Sequence, residues 1–321
     1  MTDDSWRPNA GHPMLEQRAA LFARIRAFFA ARGVLEVDTP FVVNHPASDV
    51  HIHSARVEFA DSISRFVHTS PEYAMKRLVA AGSGDIFQIC HVVRASERSR
   101  LHNSEFTLLE WYRIGFSLDD LMTEVDALVR ELAAPVAAGV TERVTYCETF
   151  RRELALDPLV AGMNELARAA ECRGFMHSQA AVSRDDLLDF LMGSCIGPGL
   201  GHRGLTFVHS YPASQAALAR RNPHDARIAE RFELYRDGVE LANGYHELAS
   251  SEEQRVRFAA DHDERRRRGL PTYPIDENLL AALAAGLPDC AGVALGCDRL
   301  LMLASGSARI DEVITFATER A

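Results

Sequence analysis

The chain has 321 residues, of which 47% are apolar and 25% are charged, a composition typical of a globular protein with a sizeable core. This composition excludes extended disorder, a collagen-like chain and a coiled coil. The 35 Lys and Arg residues stand against 45 Asp and Glu, and the resulting net charge of −10 argues against a broad nucleic-acid-binding face.

The cysteine pattern and the apolar runs indicate where the protein works. Six cysteines are scattered without a C-x-x-C pair, which favours a reduced protein over a disulfide-bonded one. The first fourteen residues include Asp3 and Asp4 and lack an apolar core, so they do not resemble a secretory signal. No apolar run approaches the ~18 residues needed to cross a bilayer. We therefore expect a cytoplasmic protein with no membrane partner.

The first predicted elements are a helix and three strands. Apolar residues recur at helical spacing over residues 14–32, and Gly33 follows where a helix-ending glycine is expected. Residues 34–40 then predict a short edge or interface strand that ends at a proline. The β-rich segments 86–94 and 105–113 flank a polar, basic loop, so they predict an antiparallel hairpin with a long connection.

Further along the chain, helical patterns cover residues 118–132 and 252–268, and a strand over 292–296 leads into an apolar segment at 300–304. No linker, composition shift or internal repeat divides the chain. We therefore expect a single α+β domain over residues 1–321, built on an antiparallel sheet.

Common catalytic signatures are absent, including the P-loop, the dinucleotide-binding glycine motif and the G-x-S-x-G elbow. His246-Glu247 begins like the zinc motif H-E-x-x-H, but Ser250 stands where the second histidine is required. His51 and His53 lack further ligands at suitable spacing, so they are interpreted as two histidines facing one way on a strand. A zinc hydrolase is not expected.

Two carboxylates are expected to approach each other on a predicted hairpin over residues 231–244. A two-residue turn at Asp237-Gly238 would pair Tyr235 with Glu240 and leave Glu233 diagonal to Glu240 on the same face. Such a pair suits Mg²⁺, which prefers one or two carboxylates plus substrate phosphates. A solvated face without an ion is the alternative, and the pair alone does not decide between them.

The long loop of the other hairpin concentrates Arg94, Arg98, Arg100 and His102 within nine residues of an otherwise acidic chain. This pattern suits a polyphosphate, because the planar arginine side chain binds phosphate or carboxylate through two hydrogen bonds. Solvated surface arginines are the alternative. On the returning strand, alternation places one set of side chains on the same side of the sheet: Phe106, Leu108, Glu110 and Tyr112.

Two further segments combine a predicted helix start with a charged side chain. Thr69-Ser70-Pro71-Glu72 is typical of such a start, so Glu72 caps the helix or binds a substrate ammonium, and capping is favoured on this motif alone. Residues 292–300 combine small residues, which let a ligand approach the backbone, with Arg299 at a helix opening. The alternative there is tight core packing with Arg299 in an ion pair.

Taken together and in this order, these stretches resemble the motifs of class II aminoacyl-tRNA synthetases, and in detail the catalytic domain of lysyl-tRNA synthetases. Residues 33–40 resemble the first, dimer-forming motif, residues 87–112 the second, and residues 292–300 the third. Residues 240–248 resemble the metal- and amino-acid-binding segment between them. The resemblance spans nearly the whole chain and implies a class II synthetase-like antiparallel sheet flanked by helices, and a homodimer.

Lysyl-tRNA synthetases carry an anticodon-binding domain of more than about a hundred residues, whereas only about thirteen residues precede the first predicted helix here. Together with Ala294 and segments 69–73 and 106–112, this resembles the lysyl-tRNA synthetase paralogs that modify translation elongation factor P. That family activates lysine, preferentially the (R)-β isomer, as an adenylate and transfers it to a lysine side chain of elongation factor P. Binding of tRNA is accordingly not expected.

The resemblance implies a site for ATP and Mg²⁺. Arg94 would contact the α-phosphate and the carboxylate during adenylation, and Arg299 would meet the terminal phosphates, so both are the implied catalytic residues. Phe106 would stack on adenine. Glu233 and Glu240 would hold Mg²⁺. The whole implied ATP-binding set is Arg94, Ala95, Ser96, Asn103, Phe106, Glu240, Leu241, Gly296 and Arg299.

The resemblance also implies a site for lysine or β-lysine. Glu72 would bind the amino group near the reacting carboxylate, and Asn243 would bind that carboxylate. Glu247 and Tyr112 would bind the distal ammonium. The whole implied substrate set is Ser70, Pro71, Glu72, Tyr112, Asn243 and Glu247.

One motif departs from the family pattern. The second motif usually reads Arg-x-Glu, whereas this chain reads Arg94-Ala95-Ser96-Glu97, so either Glu97 reaches adenine or Ser96 substitutes for the glutamate. We predict that ATP binding is retained but weaker. Two other functions stay open at this point, a short lysyl-tRNA synthetase that charges tRNA and a catalytically silent amino-acid-sensing paralog.

Overall fold

A large mixed sheet is the centre of the fold. The computed structural model describes residues 6–60, 63–176 and 182–321. Its strands, in chain order, are β1 (Leu35–Glu36), β2 (Val42–Val43), β3 (Arg56–Glu58), β4 (Ser64–Val67), β5 (Ile86–Val93), β6 (Glu105–Ile114), β7 (Glu142–Thr145), β8 (Thr206–Pro212), β9 (Ile228–Arg236), β10 (Val239–His246) and β11 (Cys290–Gly296).

Helices surround this sheet. They are α1 (His12–Ala30), α2 (Glu72–Ala80), α3 (Leu118–Leu132), α4 (Tyr146–Leu154), α5 (Met163–Glu171), α6 (Arg184–Phe190), α7 (Ser251–Arg267), α8 (Glu277–Gly286) and α9 (Cys297–Ser305). Within the described residues, none of the helices combines the length and the apolar character that crossing a bilayer requires.

The sheet order is β1-β5-β6-β11-β10-β9-β8-β7, and a small second sheet has the order β2-β4-β3. The six central strands are antiparallel, as predicted, while the two edge strands β1 and β7 pair in parallel with β5 and β8. The α+β class with a sheet flanked by helices is therefore confirmed. The predicted edge strand over residues 34–40 is also present, but only Leu35 and Glu36 pair in the ladder.

Local sequence signals account for several element ends. Helix α1 ends close to the predicted position, and Gly33 has φ = 68°, a conformation that glycine adopts without steric cost. Helix α3 has the predicted bounds because Ser117 accepts a hydrogen bond from the Asp120 N–H while the Asp120 side chain accepts one from the Ser117 N–H. These reciprocal bonds satisfy backbone donors that a helix start leaves free.

Alternation along the central strands divides the sheet into an apolar face and a polar face. Leu109 and Trp111 of β6 are fully buried in a core that includes residues of α1 and α3. There, Phe29 of α1 stacks on Phe87 of β5 with ring centroids 4.5 Å apart. Because successive strand residues point to opposite faces, the residues that alternate with this core, such as Glu110, face away from α1 and α3.

The predicted β9–β10 hairpin forms with one unpredicted irregularity. Asp237 and Gly238 have φ values of 48° and 72°, the positive values that a two-residue hairpin turn requires. The pairing slips between Glu240 and Ala242, so Leu241 has no opposite residue. Glu233 lies opposite Asn243, which corrects the regular ladder assumed from the sequence.

Candidate active site

An open cleft of about 850 Å³ lies over the polar face of the sheet. Residues of β6, β10 and β11 form its floor, and parts of α2, α7, the β5–β6 loop and the start of α9 form its walls. It brings together most of the residues implied by the sequence resemblance: Ser70, Glu72, Arg94, Asn103, Phe106, Tyr112, Glu240, Leu241, Asn243, Glu247, Gly296 and Arg299.

Four implied residues do not line this cleft. Ala95 and Ser96 are exposed on the β5–β6 loop, so the structure does not bring either one to the nucleotide-binding end proposed from the motif. Pro71 is buried at the start of α2. Glu233 is buried on the adjacent strand β9.

One end of the cleft contains the carboxylate cluster, which consists of Glu72, Glu110 and Glu247. Glu110 accepts hydrogen bonds from the hydroxyl groups of Ser70, at 2.7 Å, and Tyr112, at 2.8 Å. Burial, with a contribution from the Glu72 carboxylate, raises the pKa of Glu110 to about 8. Burial also raises the pKa of Glu247 to about 7. Glu110 therefore retains a proton near neutral pH.

Lys76 connects two members of the carboxylate cluster. Its Nζ lies 2.7 Å from Oε1 of Glu72 and 2.6 Å from Oε2 of Glu247, and Lys76 is only 2% exposed. Burial opposes the charge on Lys76, but the Glu247 and Glu72 carboxylates outweigh it and raise the pKa of the ammonium. The sequence interpretation missed Lys76, although its position four residues after Glu72 indicates a helical ion pair.

The structure also decides how helix α2 begins. The Glu72 N–H donates to Oγ of Ser70 at 3.1 Å, so the Ser70 hydroxyl satisfies the helix start. The Glu72 carboxylate instead binds Lys76 and faces the cleft. The expectation that Glu72 caps the helix through its side chain is therefore wrong.

Gly292 of β11 provides the room that this end of the cleft needs. A Cβ atom at this position would lie 2.4 Å from Cε1 of Tyr112 and 2.6 Å from Oε1 of Glu247. Gly292 lies opposite Tyr112 in the ladder between β11 and β6. Any side chain at position 292 would therefore displace Tyr112, Glu247 or both.

The other end of the cleft is cationic and contains Arg94 and Arg299. The Arg94 guanidinium lies 5.1 Å from the centroid of the Phe106 ring and 3.5 Å from the Glu97 carboxylate. Its buried Nε has no hydrogen-bond partner in the described part of the chain. An anionic group of a ligand would satisfy this donor. Glu97 stands one residue after the position where the motif glutamate is expected. Its side chain lines the cleft, whereas Ser96 does not.

Arg299, at the start of α9, is held by three neighbours. It donates to the backbone carbonyl of Glu240 at 2.8 Å, and its Nη2 lies 2.6 Å from Nε2 of His102. A longer bond of 3.3 Å reaches the carbonyl of Leu101. The guanidinium is therefore fixed beside Glu240 before any ligand binds.

The basic loop divides into residues that face the cleft and residues that do not. Arg94 and His102 line the cleft, whereas Arg98 forms an ion pair with Glu319 and Arg100 donates to the carbonyl of Ala308 at 3.0 Å. The expectation of one continuous polyphosphate patch is therefore wrong for Arg98 and Arg100. These two arginines instead attach the loop to the C-terminal part of the chain.

Asn103 and Asn243 are anchored by protein contacts. The Asn103 amide donates to the carbonyl of Glu105 at 2.7 Å and accepts from the N–H and hydroxyl of Thr318. The Asn243 oxygen accepts from Nε of Arg231 at 3.2 Å. Within the described part of the chain, each amide has an N–H group without a protein acceptor, which a ligand in the cleft can use.

The two carboxylates implied for Mg²⁺ differ in their surroundings. Burial and the neighbouring Glu233 raise the pKa of Glu240 despite the Arg299 guanidinium, whose Nη1 lies 3.7 Å from Oε2 of Glu240. Glu233 accepts hydrogen bonds from Tyr211 at 2.6 Å, Tyr235 at 2.5 Å and Arg231 at 2.5 Å. A divalent ion at Glu240 would relieve its excess negative charge, so the donor set fits Mg²⁺ with Glu240 as the more available ligand.

No cluster of three or more His, Cys, Asp or Glu residues suited to a metal ion exists in the described ranges 6–60, 63–176 and 182–321. His51 and His53 lie in a loop, not on the strand expected from the sequence. His246 contacts Asp289, with Nε2 and Oδ1 2.7 Å apart, and Glu230, with Nδ1 and Oε2 3.0 Å apart. A Mg²⁺ ion held by two carboxylates and substrate phosphates does not require such a cluster, so the arrangement is compatible with it.

Comparison with known proteins agrees with this geometry. Residues 5–320 match the family model for tRNA synthetases class II (D, K and N). An elongation factor P--(R)-beta-lysine ligase from Vibrio cholerae is 48% identical, with all of both chains covered. A protein of the same name from Salmonella typhimurium is 46% identical, over 99% of this chain and 98% of its own. The chain therefore belongs to the class II tRNA synthetase family, in the branch that contains the elongation factor P--(R)-beta-lysine ligases.

Proposed function

We propose that this chain is an ATP-dependent ligase that activates lysine, preferentially (R)-β-lysine, and transfers it to a lysine side chain of translation elongation factor P. The observation that carries this proposal is that one cleft joins a cationic end, with Arg94 and Arg299, to the carboxylate cluster. Such a cleft suits a nucleotide and a diamino acid side by side. The full-length similarity to ligases of this name supports the same acceptor.

In the first step, a carboxylate oxygen of the amino acid attacks the α-phosphorus of ATP. An O–P bond forms, and the bond between the α-phosphorus and the oxygen that bridges to the β-phosphate breaks. Pyrophosphate leaves, which yields an aminoacyl-adenylate. Arg94 neutralises the charge that develops at the α-phosphate, and Arg299 holds the terminal phosphates. The protein supplies position and charge, and no side chain acts as a nucleophile.

Adenine stacks on Phe106, and the Arg94 guanidinium lies over one face of the same ring. The backbone at Leu241 and the small residue Gly296 let the nucleotide lie close to the main chain, because Leu241 has no opposite residue in the ladder and Gly296 has no side chain. Asn103 is a further nucleotide ligand in this proposal. Glu240, with Glu233, would hold Mg²⁺, which would neutralise phosphate charge.

The amino acid lies at the opposite end. Glu72 binds its amino group and Asn243 binds its carboxylate, while Glu247 and Tyr112 bind the distal ammonium. Ser70 and Pro71 shape the start of α2 beside them. The Glu72 and Glu247 carboxylates, which both contact Lys76, match the two ammonium groups of lysine or β-lysine.

In the second step, the neutral amine of the acceptor lysine attacks the carbonyl carbon of the adenylate. An amide bond forms, the bond to the phosphate oxygen breaks, AMP leaves, and the amine loses a proton to solvent. The opening of the cleft allows a side chain of another protein to enter. A protein amine is therefore a suitable acceptor.

We infer four further properties of the molecule. It acts in the cytoplasm. It forms a homodimer, because two apolar residues in and beside the segment that resembles the dimer-forming motif, Leu35 and Phe41, are 56% and 42% exposed. Residues 1–321 work as one catalytic domain. Transfer RNA is not the acceptor, since a net charge of −10 disfavours a polyanion. Light scattering and a tRNA-charging assay test the dimer and the tRNA inference.

The deciding experiment is mass analysis of elongation factor P after incubation with enzyme, Mg-ATP and each lysine isomer. We expect a mass gain of one lysyl group on one lysine side chain, larger with (R)-β-lysine than with α-lysine. Charging of tRNA instead would favour a short lysyl-tRNA synthetase. No lysine-dependent pyrophosphate exchange, with no modified factor, would indicate a catalytically silent amino-acid sensor and overturn the proposal.

A further inference from the structure

The carboxylate cluster contains more negative charge than its hydroxyl donors can compensate. Glu110 and Glu247 are 3% and 4% exposed, and Glu72 adjoins them at the start of α2. Ser70 and Tyr112 donate to Glu110 but carry no charge. Placing carboxylates together in a buried site is unfavourable unless a cation accompanies them.

Lys76 supplies that cation from within the protein. Its ammonium contacts Glu72 on its own helix at 2.7 Å and Glu247, just after β10, at 2.6 Å. No hydrogen bond of good angular geometry reaches Oε2 of Glu247 within the described residues, so this oxygen depends on the ion pair for compensation. Lys76 therefore joins the helix wall of the cleft to its sheet floor.

We propose that Lys76 is a resident counter-ion that positions Glu72 and Glu247 and sets the charge of the pocket so that it accepts a substrate with two ammonium groups. Lys76 is a positioning residue, since it acts through the carboxylates. This inference rests on the proposed function, because it concerns the same amino-acid pocket.

The charge count supports this role. Glu110 keeps a proton in the ligand-free protein, and once substrate binding releases it, with Lys76 protonated, the cluster has two uncompensated negative charges. Lysine and β-lysine each carry two ammonium groups, which balance those charges. Without Lys76, a third charge would stay unbalanced beside the bound substrate. An amino acid with one ammonium group, such as norleucine, leaves one negative charge unbalanced even in the unchanged protein.

Other titratable groups also face Lys76. Tyr112 and Cys290 lie near the cluster, but burial raises the pKa of both, so each is uncharged near neutral pH. Neither supplies the positive charge that the carboxylates require. His246 also lowers the pKa of Glu247, but its ring nitrogens contact Asp289 and Glu230, so it does not replace Lys76 as the cation in contact with the carboxylates.

The experiment measures lysine-dependent pyrophosphate exchange for the wild type, K76M and R77M. Arg77 is the exposed next residue on α2, so R77M controls for loss of one positive charge from the same helix. We expect K76M to raise KM for the amino acid about 100-fold while KM for ATP changes less than about twofold, since a buried carboxylate pair loses its partner. R77M should match the wild type. Equal KM values for K76M and the wild type would overturn the proposal.

Chemical rescue separates charge from packing. K76A leaves space for the missing part of the side chain, which n-propylammonium matches in length and charge, while n-propanol matches it in length alone. We expect propylammonium to restore exchange by K76A at least about fivefold and propanol to have no effect. Equal rescue by both would show a packing role and refute the counter-ion.

A folding failure of the single variants is itself informative. If K76M and K76A do not fold, the double variant K76M/E247Q should, because it removes the uncompensated carboxylate along with its cation. The preference of this double variant for lysine over norleucine should also be less than about one-tenth of the wild-type preference. A double variant as unstable as K76M would refute the proposal.

The wild-type measurement separates this inference from the proposed function. If the wild type shows no lysine-dependent exchange, the proposed function fails. If the wild type is active and K76M keeps its affinity for lysine, only the role of Lys76 fails.

Discussion

Nη2 of Arg299 lies 2.6 Å from Nε2 of His102, between the helix that starts at Cys297 and the β5–β6 loop. Arginine can only donate, so Nε2 of His102 is the acceptor and the imidazole is neutral. Burial, followed by the nearby Arg299 charge, lowers the pKa of His102, which is consistent with a neutral ring. His102 therefore fixes the guanidinium that we propose for the terminal phosphates of ATP.

We predict that H102A raises KM for ATP about tenfold and leaves KM for lysine within about twofold, because Arg299 loses one of the contacts that orient it. Pyrophosphate exchange at varied ATP measures this change. H91A is the matched control, since His91 is an exposed histidine on β5 that contacts Glu105. A larger effect of H91A than of H102A would contradict the role given to His102.

The sequence predicted the parts of the site that follow from strand periodicity. Glu110 and Tyr112 share a face because side chains alternate along any strand, and both line the cleft as expected. The bulge at Leu241 was not predictable, because the Asp237-Gly238 turn fixes the register only at the start of the hairpin. Turn chemistry acts locally and does not determine where a ladder slips.

The sequence pattern also did not predict which side chains of the basic loop face the cleft. Arg94 and Arg98 are four residues apart, yet Arg94 faces the cleft and Arg98 pairs with Glu319 near the other end of the chain. Such long-range partners leave no periodic signal. The contact of Lys76 with Glu247 is of the same kind, because it joins segments far apart in sequence, whereas the ion pair of Lys76 with Glu72 follows from helical spacing.

The altered second motif leads to a prediction about adenine recognition. Glu97 lines the cleft beside Arg94, whereas Ser96 is exposed outside it. We expect E97Q to weaken ATP binding about fivefold, because an amide accepts a hydrogen bond from an amino group less strongly than a carboxylate does. S96A is the matched control and should bind ATP as the wild type does. Calorimetry checks both, and a loss confined to S96A would reverse the assignment.

Gly292 offers a steric test of the amino-acid pocket. We predict that G292A raises KM for lysine about tenfold and lowers the free energy of unfolding by about 1–3 kcal/mol, because its Cβ overlaps Tyr112 and Glu247. G193A is the control, since Gly193 has open space around the position of a Cβ. Kinetics and denaturant unfolding give the two values. Unchanged lysine kinetics in G292A would show that Tyr112 and Glu247 do not bind the amino acid.

The pKa of Glu110 predicts how stability depends on pH. Because burial raises this pKa to about 8, the folded protein keeps a proton on Glu110 that the unfolded chain releases near the ordinary pKa of a glutamate. The folded state therefore binds more protons across this interval. The stabilisation from the retained proton is complete below the unfolded pKa and is lost progressively as pH rises through about 8.

We accordingly expect the melting temperature of the ligand-free wild type to fall between about pH 6 and about pH 8.5, and E110Q to show a smaller fall, because the amide does not ionise. Some slope should remain in E110Q, since the pKa of Glu247 is also raised, to about 7. E105Q, at an exposed position on the same strand, should keep the wild-type slope. Parallel melting curves for the wild type and E110Q over this range would mean that Glu110 is already ionised in the folded protein. In that case the substrate would meet three carboxylate charges from the outset, and its binding would release no proton from Glu110.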